Sequence, residues 1–168
     1  MYLPFEDQQL VSAALATFPS QKFIQFAPQL QREERANISL RPTSLHDFKH
    51  NLCQAKGVIC NAGFELISEC LHMGIPALAK PVAGQSEQLG NAAALQQLGV
   101  ATVMYDFSAQ HIENWLANIP AQTAAHYPDV AAAICDWLLS GEGHDSSRLV
   151  SELWEQTGRP ADKIAATG

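Results

Sequence analysis

Residues 57–76 read GVICNAGFELISECLHMGIP. The apolar run Gly57 to Cys60 has the length and composition of a short buried strand. It stops at Asn61-Ala62-Gly63, and a helical pattern starts at Phe64 with no loop between. Gly74 and Pro76 end that helix: glycine accepts the left-handed closing conformation, and proline cannot continue the hydrogen-bond ladder. Ala77 to Ala79 then gives a second apolar run. Strand, tight turn, helix and strand in this order form a βαβ unit, in which the helical crossover makes the two strands parallel.

The alternation continues on both sides of this unit. Met1 to Phe5 reads as a strand, followed by a helix over about 6–18 with Glu6-Asp7 at its start. Lys22 to Ala27 alternates as a strand, 28–36 is a polar loop, Asn37 to Leu40 is a short strand, and Ser44 caps a helix over 45–55. Downstream come the loop Pro81 to Gln85, a helix from Ser86 to Leu98 ended by Gly99, and a sixth strand from Val100 to Met104. Helices are expected over about 108–118, 129–140 and 146–156, with 159–168 as a flexible tail. Six strands alternating with helices specify an α/β fold. It is a Rossmann-like, doubly wound, parallel six-stranded sheet with helices on both faces and extra C-terminal helices. The usual strand order is 3-2-1-4-5-6, and ligands bind at the carboxyl ends where the order reverses. In that order the ends of the first strand (Pro4-Phe5-Glu6) and of the fourth (Cys60 to Gly63) flank one crevice.

A chain of 168 residues suits one domain that buries roughly 70% of its unfolded surface. No apolar run approaches the roughly 20 residues of a membrane span, and no signal-peptide pattern is present, so a cytoplasmic protein is the simplest reading. The net charge of −7, with no basic block, argues against a nucleic-acid partner. An opening directly on a central strand suggests a piece of a longer polypeptide. The cysteines at 53, 60, 70 and 135 form no CxxC pair, and Cys60 and Cys70 read as small buried hydrophobes. His46 and His50 share a helix face, but no second ligand motif accompanies them, so they read as solvated and no metal site is expected. His126 and His144 are isolated. Ser12, Ser68 and Ser86 lack the GxSxG setting of a hydrolase nucleophile.

The Asn61-Ala62-Gly63 turn suits an anion. A helix that starts at once after a strand points its free N–H groups and its positive dipole end into the crevice. Ala62, Gly63 and Phe64 are the candidate pyrophosphate cradle, with Gly63 allowing close approach. Neither GxxxxGK[ST] nor GxGxxG is present, which disfavours a Walker-type nucleotidase and an NAD enzyme. Glu69, expected on the helix face opposite Glu65, can accept hydrogen bonds from two vicinal hydroxyls of a ribose; the alternative is that both are solvated helix residues. Lys80, at the end of the fifth strand, can neutralise phosphate or serve as an ordinary loop lysine. Arg41, after the third strand, is a candidate base or phosphate contact, and Thr43 and Ser44 either meet a uracil edge or only cap a helix.

The stretch NAGFELISECLHMGIPALAKPVAGQSEQLGNAAAL resembles the donor-binding half of the GT-B glycosyltransferases, the MurG and UDP-glycosyltransferase group. It is most like a MurG-like subfamily of archaeal and bacterial members. The dense match runs from Gly57 to Val103. The resemblance implies that residues 1–158 are the C-terminal, nucleotide-sugar-binding domain of a GT-B protein. Its activity would be transfer of a sugar, UDP-linked by preference, to a hydroxyl of a glycan or lipid-linked acceptor, without a metal or other cofactor. By resemblance Glu69 holds the ribose hydroxyls, Gly63 and its neighbours the phosphates, and Glu87-Gln88 the donor sugar, while Asn91 begins the family's Asn-Ala step. Asn61 stands where many plant and animal relatives have histidine, leaving an amide in place of a possible cation. The resemblance also implies that no catalytic residue lies in this segment. The base and acceptor contacts, and any peripheral membrane attachment, then belong to an N-terminal domain, without which the chain is inactive. Two other readings stay open: a stand-alone nucleotide-binding subunit of a split glycosyltransferase, and a sugar-nucleotide epimerase of the same architecture.

Overall fold

The computed structural model describes residues 1–124, 127–141 and 146–156. The tail expected over 159–168, with His126 and His144, lies outside the described residues. The elements run α1 (Gln8–Ala16), β1 (Phe23–Phe26), β2 (Glu33–Arg35), β3 (Ile38–Arg41), α2 (Leu45–Leu52), β4 (Val58–Asn61), α3 (Phe64–Met73), β5 (Ala77–Lys80), α4 (Ser86–Leu98), β6 (Thr102–Val103), α5 (Ala109–Ala117), α6 (Val130–Leu139) and α7 (Ser147–Gln156). The βαβ unit at residues 57–80 forms as its sequence dictates, with Gly74 closing α3 at φ 68°.

The strands form two groups of three, ordered β1-β3-β2 and β4-β5-β6. All pairings are parallel except β2 with β3. Tyr2 joins the groups through isolated parallel bridges to Phe26 and to Cys60. The order of the expected doubly wound sheet is thus kept, but the single six-stranded parallel sheet is not formed, for two reasons. The segment Met1 to Phe5 supplies only a bridge. Pro4 has no N–H to give a ladder, and the Leu3 carbonyl turns away to accept from Glu6 N at 3.1 Å and Gln8 Nε2 at 2.8 Å. The expected loop 28–36 contains β2, whose three charged, exposed residues pair antiparallel with β3 at the edge of the sheet. Charge on an edge strand discourages further pairing.

Alternation along the inner strands sends side chains to two cores. Val58 and Cys60 of β4 and Ala77 and Ala79 of β5 pack with α2, α3 and α4. Ile59 and Leu78, one residue out of phase, pack on the other face with α1 and α5. Helices therefore cover both faces, which explains why β4 and β5 are buried at every position. Cys60 and Cys70 are buried small hydrophobes, as their setting in the sequence suggests; burial raises both thiols, that of Cys70 to about 12.

Residues Met1–Ala124 form one compact unit, and a second begins at residue 125. Within the second, α6 and α7 contact each other, and neither contains a buried residue. Leu138 is 61% and Leu139 86% exposed. No described helix is long and apolar enough to cross a membrane.

Candidate functional site

The carboxyl ends of β4 and β5 are stitched together by side-chain amides. Asn61 Nδ2 donates to the Lys80 carbonyl at 3.0 Å, beside the Ala62 N–H, which donates to the same oxygen at 3.1 Å. Asn91 Nδ2, on α4, donates to the Ala62 carbonyl at 3.0 Å. The turn between β4 and α3 is therefore held from two elements. Asn61 Oδ1 is buried and accepts no hydrogen bond among the described residues. A buried acceptor left unpaired costs about 1–3 kcal/mol, so this oxygen favours a donor at the sheet's carboxyl end.

Gly63 is the N-cap of α3, with extended backbone (φ −76°, ψ 149°) and no side-chain cap. A Cβ there would meet nothing within 4 Å, so the space over the turn is open. The helices α1, α2, α5 and α6 are capped by Asp7, Ser44, Ser108 and Asp129, whose side chains accept first-turn N–H bonds. By contrast α3 and α4, which follow β4 and β5 at the crevice, have none. Their first-turn donors and dipole ends are left to whatever enters the crevice, and an anion satisfies both.

Phe64, at the first position of α3, is 73% exposed. Glu65 is exposed and Glu69 half-buried, and neither forms a hydrogen bond or ion pair among the described residues. The expected opposition of these two carboxylates is not found. Residues four apart on a regular helix stand about 40° apart, so both lie on one side of α3.

Lys80 is buried at the end of β5, and its Nζ donates to Glu6 Oε1 at 2.7 Å. Its charge is already partnered, which makes it a weaker phosphate ligand than its place in the sequence suggests. Sequence reading put Glu6 at the end of the first strand and at a helix start, but missed its pairing with Lys80. The signal was present, because the 3-2-1-4-5-6 order brings the first strand's end to the crevice. Gln8 fixes that end by donating to both the Leu3 and Glu6 carbonyls.

Gln88 is buried, and its Oε1 accepts from the Val82 N–H at 3.0 Å, clamping the loop Pro81 to Gln85. Glu87, one residue earlier on α4, is exposed. Asn61, Ala62, Gly63, Phe64, Lys80 and Asn91 are thus drawn to one place. Arg41 is not among them. It ends β3, separated from β4 by β1 and the Tyr2 bridge, three inter-strand steps or roughly 14 Å away. There its Nε donates to Ser39 Oγ at 3.1 Å. Ser44 serves α2 as its cap.

A search of curated proteins finds no match. The model of glycosyl transferase family 1 matches residues 2–120, which contain every strand and the whole crevice just described. That span is more than half of the 168 residues, and the chain therefore belongs to glycosyl transferase family 1.

Proposed function

We propose that this chain is the donor half of a GT-B glycosyltransferase, of MurG-like type, and that its crevice binds a nucleoside-diphosphate sugar, UDP-linked by preference. The observation that carries the reading is the uncapped start of α3 directly after β4, with open space over Gly63. In this reading the diphosphate lies on the N–H groups of Gly63 and Phe64, where the helix dipole opposes its charge without a side-chain cation. Glu69, half-buried and free of other partners among the described residues, accepts from the ribose hydroxyls. Glu87 reaches the sugar, while Gln88 sets the loop beside it.

The chemistry follows from that placement. An acceptor hydroxyl oxygen bonds to the anomeric carbon as the bond from that carbon to the diphosphate oxygen breaks. Negative charge grows on the departing diphosphate, and the preorganised helix start stabilises it as it develops. In this reading the acceptor proton passes to a base in the acceptor-binding half, a separate domain or chain.

The test is calorimetric titration of the chain with UDP, ADP and GDP, repeated on Glu69→Ala. We expect UDP-selective binding that weakens by about 1–3 kcal/mol in the variant, the cost of lost charge-assisted hydrogen bonds. We also expect no sugar transfer by the chain alone. Nucleotide binding that Glu69→Ala leaves unchanged would remove the ribose role, and transfer by the isolated chain would overturn the division of labour.

A further inference from the structure

Lys80 Nζ and Glu6 Oε1 meet across β4. Tyr2 faces Cys60 on one side of β4, and Lys80 faces Asn61 on the other. The segment that carries Glu6 and the strand that carries Lys80 are thus two inter-strand steps apart, roughly 10 Å. Their ion pair spans that gap at the carboxyl end of β4, where the chain turns into α3. Alternation places the Lys80 side chain on the Leu78 face of the sheet, the face that α1 covers, and Glu6 stands just ahead of α1.

Neither backbone is free to draw back. Gln8 Nε2 donates to the Leu3 and Glu6 carbonyls, both at 2.8 Å. Gln25 Nε2 donates to Gln8 Oε1 at 3.0 Å, and Ser12 Oγ donates to Gln25 Oε1 at 2.8 Å. All three side chains are buried, so this run of bonds ties the Glu6 turn to α1 and β1. Lys80 is fixed in β5, and its carbonyl accepts from both Asn61 Nδ2 and Ala62 N. The Glu6 carboxylate is therefore a held negative charge beside the crevice, and the Lys80 ammonium cancels it.

We propose that Glu6 is a specificity residue of the donor site: its carboxylate sets the crevice against the nucleoside diphosphate left after transfer and in favour of the nucleoside-diphosphate sugar that enters. The assignment rests on the donor-site reading above. The two ligands differ by one ionisation. In the sugar ester an oxygen of the terminal phosphate is blocked, whereas a free terminal phosphate takes its second negative charge above about pH 6. A carboxylate that cannot swing away opposes this extra charge. One unit charge several ångströms off, in a partly solvated site, changes affinity by about tenfold. The spent diphosphate then leaves instead of holding the crevice against the next donor.

The experiment titrates the chain, Glu6→Gln and Lys80→Met calorimetrically with UDP, ADP and GDP and with the glucose ester of each, at pH 7.5 and pH 5.5. At pH 7.5 Glu6→Gln should tighten the free diphosphate about tenfold more than its ester. Lys80→Met leaves the carboxylate uncancelled and should shift the ratio the other way by a similar factor. It keeps an apolar stem at the buried end of β5, so it reads the charge effect independently of how well Glu6→Gln folds. At pH 5.5, where the free diphosphate has lost most of its extra charge, both shifts should shrink. A pair with a structural role alone would change both ligands alike at both pH values. That result would overturn the proposal and leave the donor-site reading intact. Binding of none of these ligands to any of the three chains would overturn the donor-site reading, and this assignment with it.

Discussion

Lys80 and Glu6 are 74 residues apart in sequence and 2.7 Å apart in space. Their side chains are 9% and 21% exposed, so the pair is largely desolvated, and removing one partner strands the other. Glu6→Gln should therefore destabilise the chain by about 3 kcal/mol, because an uncompensated buried ammonium remains. Lys80→Met in the same background should recover much of that loss, since an apolar side chain of similar length suits the buried end of β5. Urea unfolding of the two single variants and the double variant measures this; additive losses would show that the two residues act independently. Sequence reading located Lys80 at a strand end but not its partner. Pairing of this kind depends on which strand ends meet across the sheet, and a side chain's rotamer is not written in its neighbours along the chain. For Gln88 the resemblance implied the donor sugar, and for Asn91 the start of the family's Asn-Ala step. It could not distinguish a sugar contact from bonds to Ala62 O and Val82 N that hold the backbone in place.

Helices and inner strands were legible because their signals are local: periodicity, a cap, and a glycine at the close. The α3 and α4 ends illustrate this, with Gly74 at φ 68° and Gly99 at φ 64° closing them in the left-handed conformation. The two sites differ in surroundings. A Cβ on Gly74 would stand 2.7 Å from the Ala124 backbone nitrogen, whereas one on Gly99 would meet nothing within 4 Å. Gly99→Ala should cost only the left-handed strain, about 1–2 kcal/mol. Gly74→Ala should cost more, because the backbone near Ala124 cannot swing aside as a side chain can. Comparing their urea midpoints separates strain from collision, and equal losses would mean that the segment before Ala124 yields freely. Strand β2 was illegible for the opposite reason. Glu33-Glu34-Arg35 has no strand character of its own, and its pairing is imposed by β3 at the sheet edge. The first expected strand failed on tertiary grounds as well, since Pro4 and the turn at Leu3 take the chain out of the sheet after Tyr2.

Among the described residues the backbone bridges between the two strand groups run through Met1 and Tyr2, and this dipeptide carries the Met1 amine into the interior. That burial should appear in the pH profile. Unfolded, the Met1 amine has its ordinary pKa of 8.0; folded, burial lowers it to about 6, with the buried Cys60 and Cys70 thiols as its nearest titrating neighbours. Burial holds both thiols protonated through this range, so they contribute no slope there. Between pH 6 and 8 the unfolded chain binds a proton at the amine that the folded chain does not. Stability must therefore rise with pH across that window. Above pH 8 the contribution is fully present; it is lost as pH falls toward 6 and changes no further below. Two pKa units correspond to about 2.7 kcal/mol, the order of magnitude to expect. Acetylating the Met1 amine removes the titration and leaves every other group in place. The difference between acetylated and free chains, measured by urea unfolding at pH 6, 7 and 8, should therefore be largest at pH 6 and shrink toward pH 8. A difference that stays constant over this range would mean that the amine reaches water, and that the two halves of the sheet are joined without a buried charge between them.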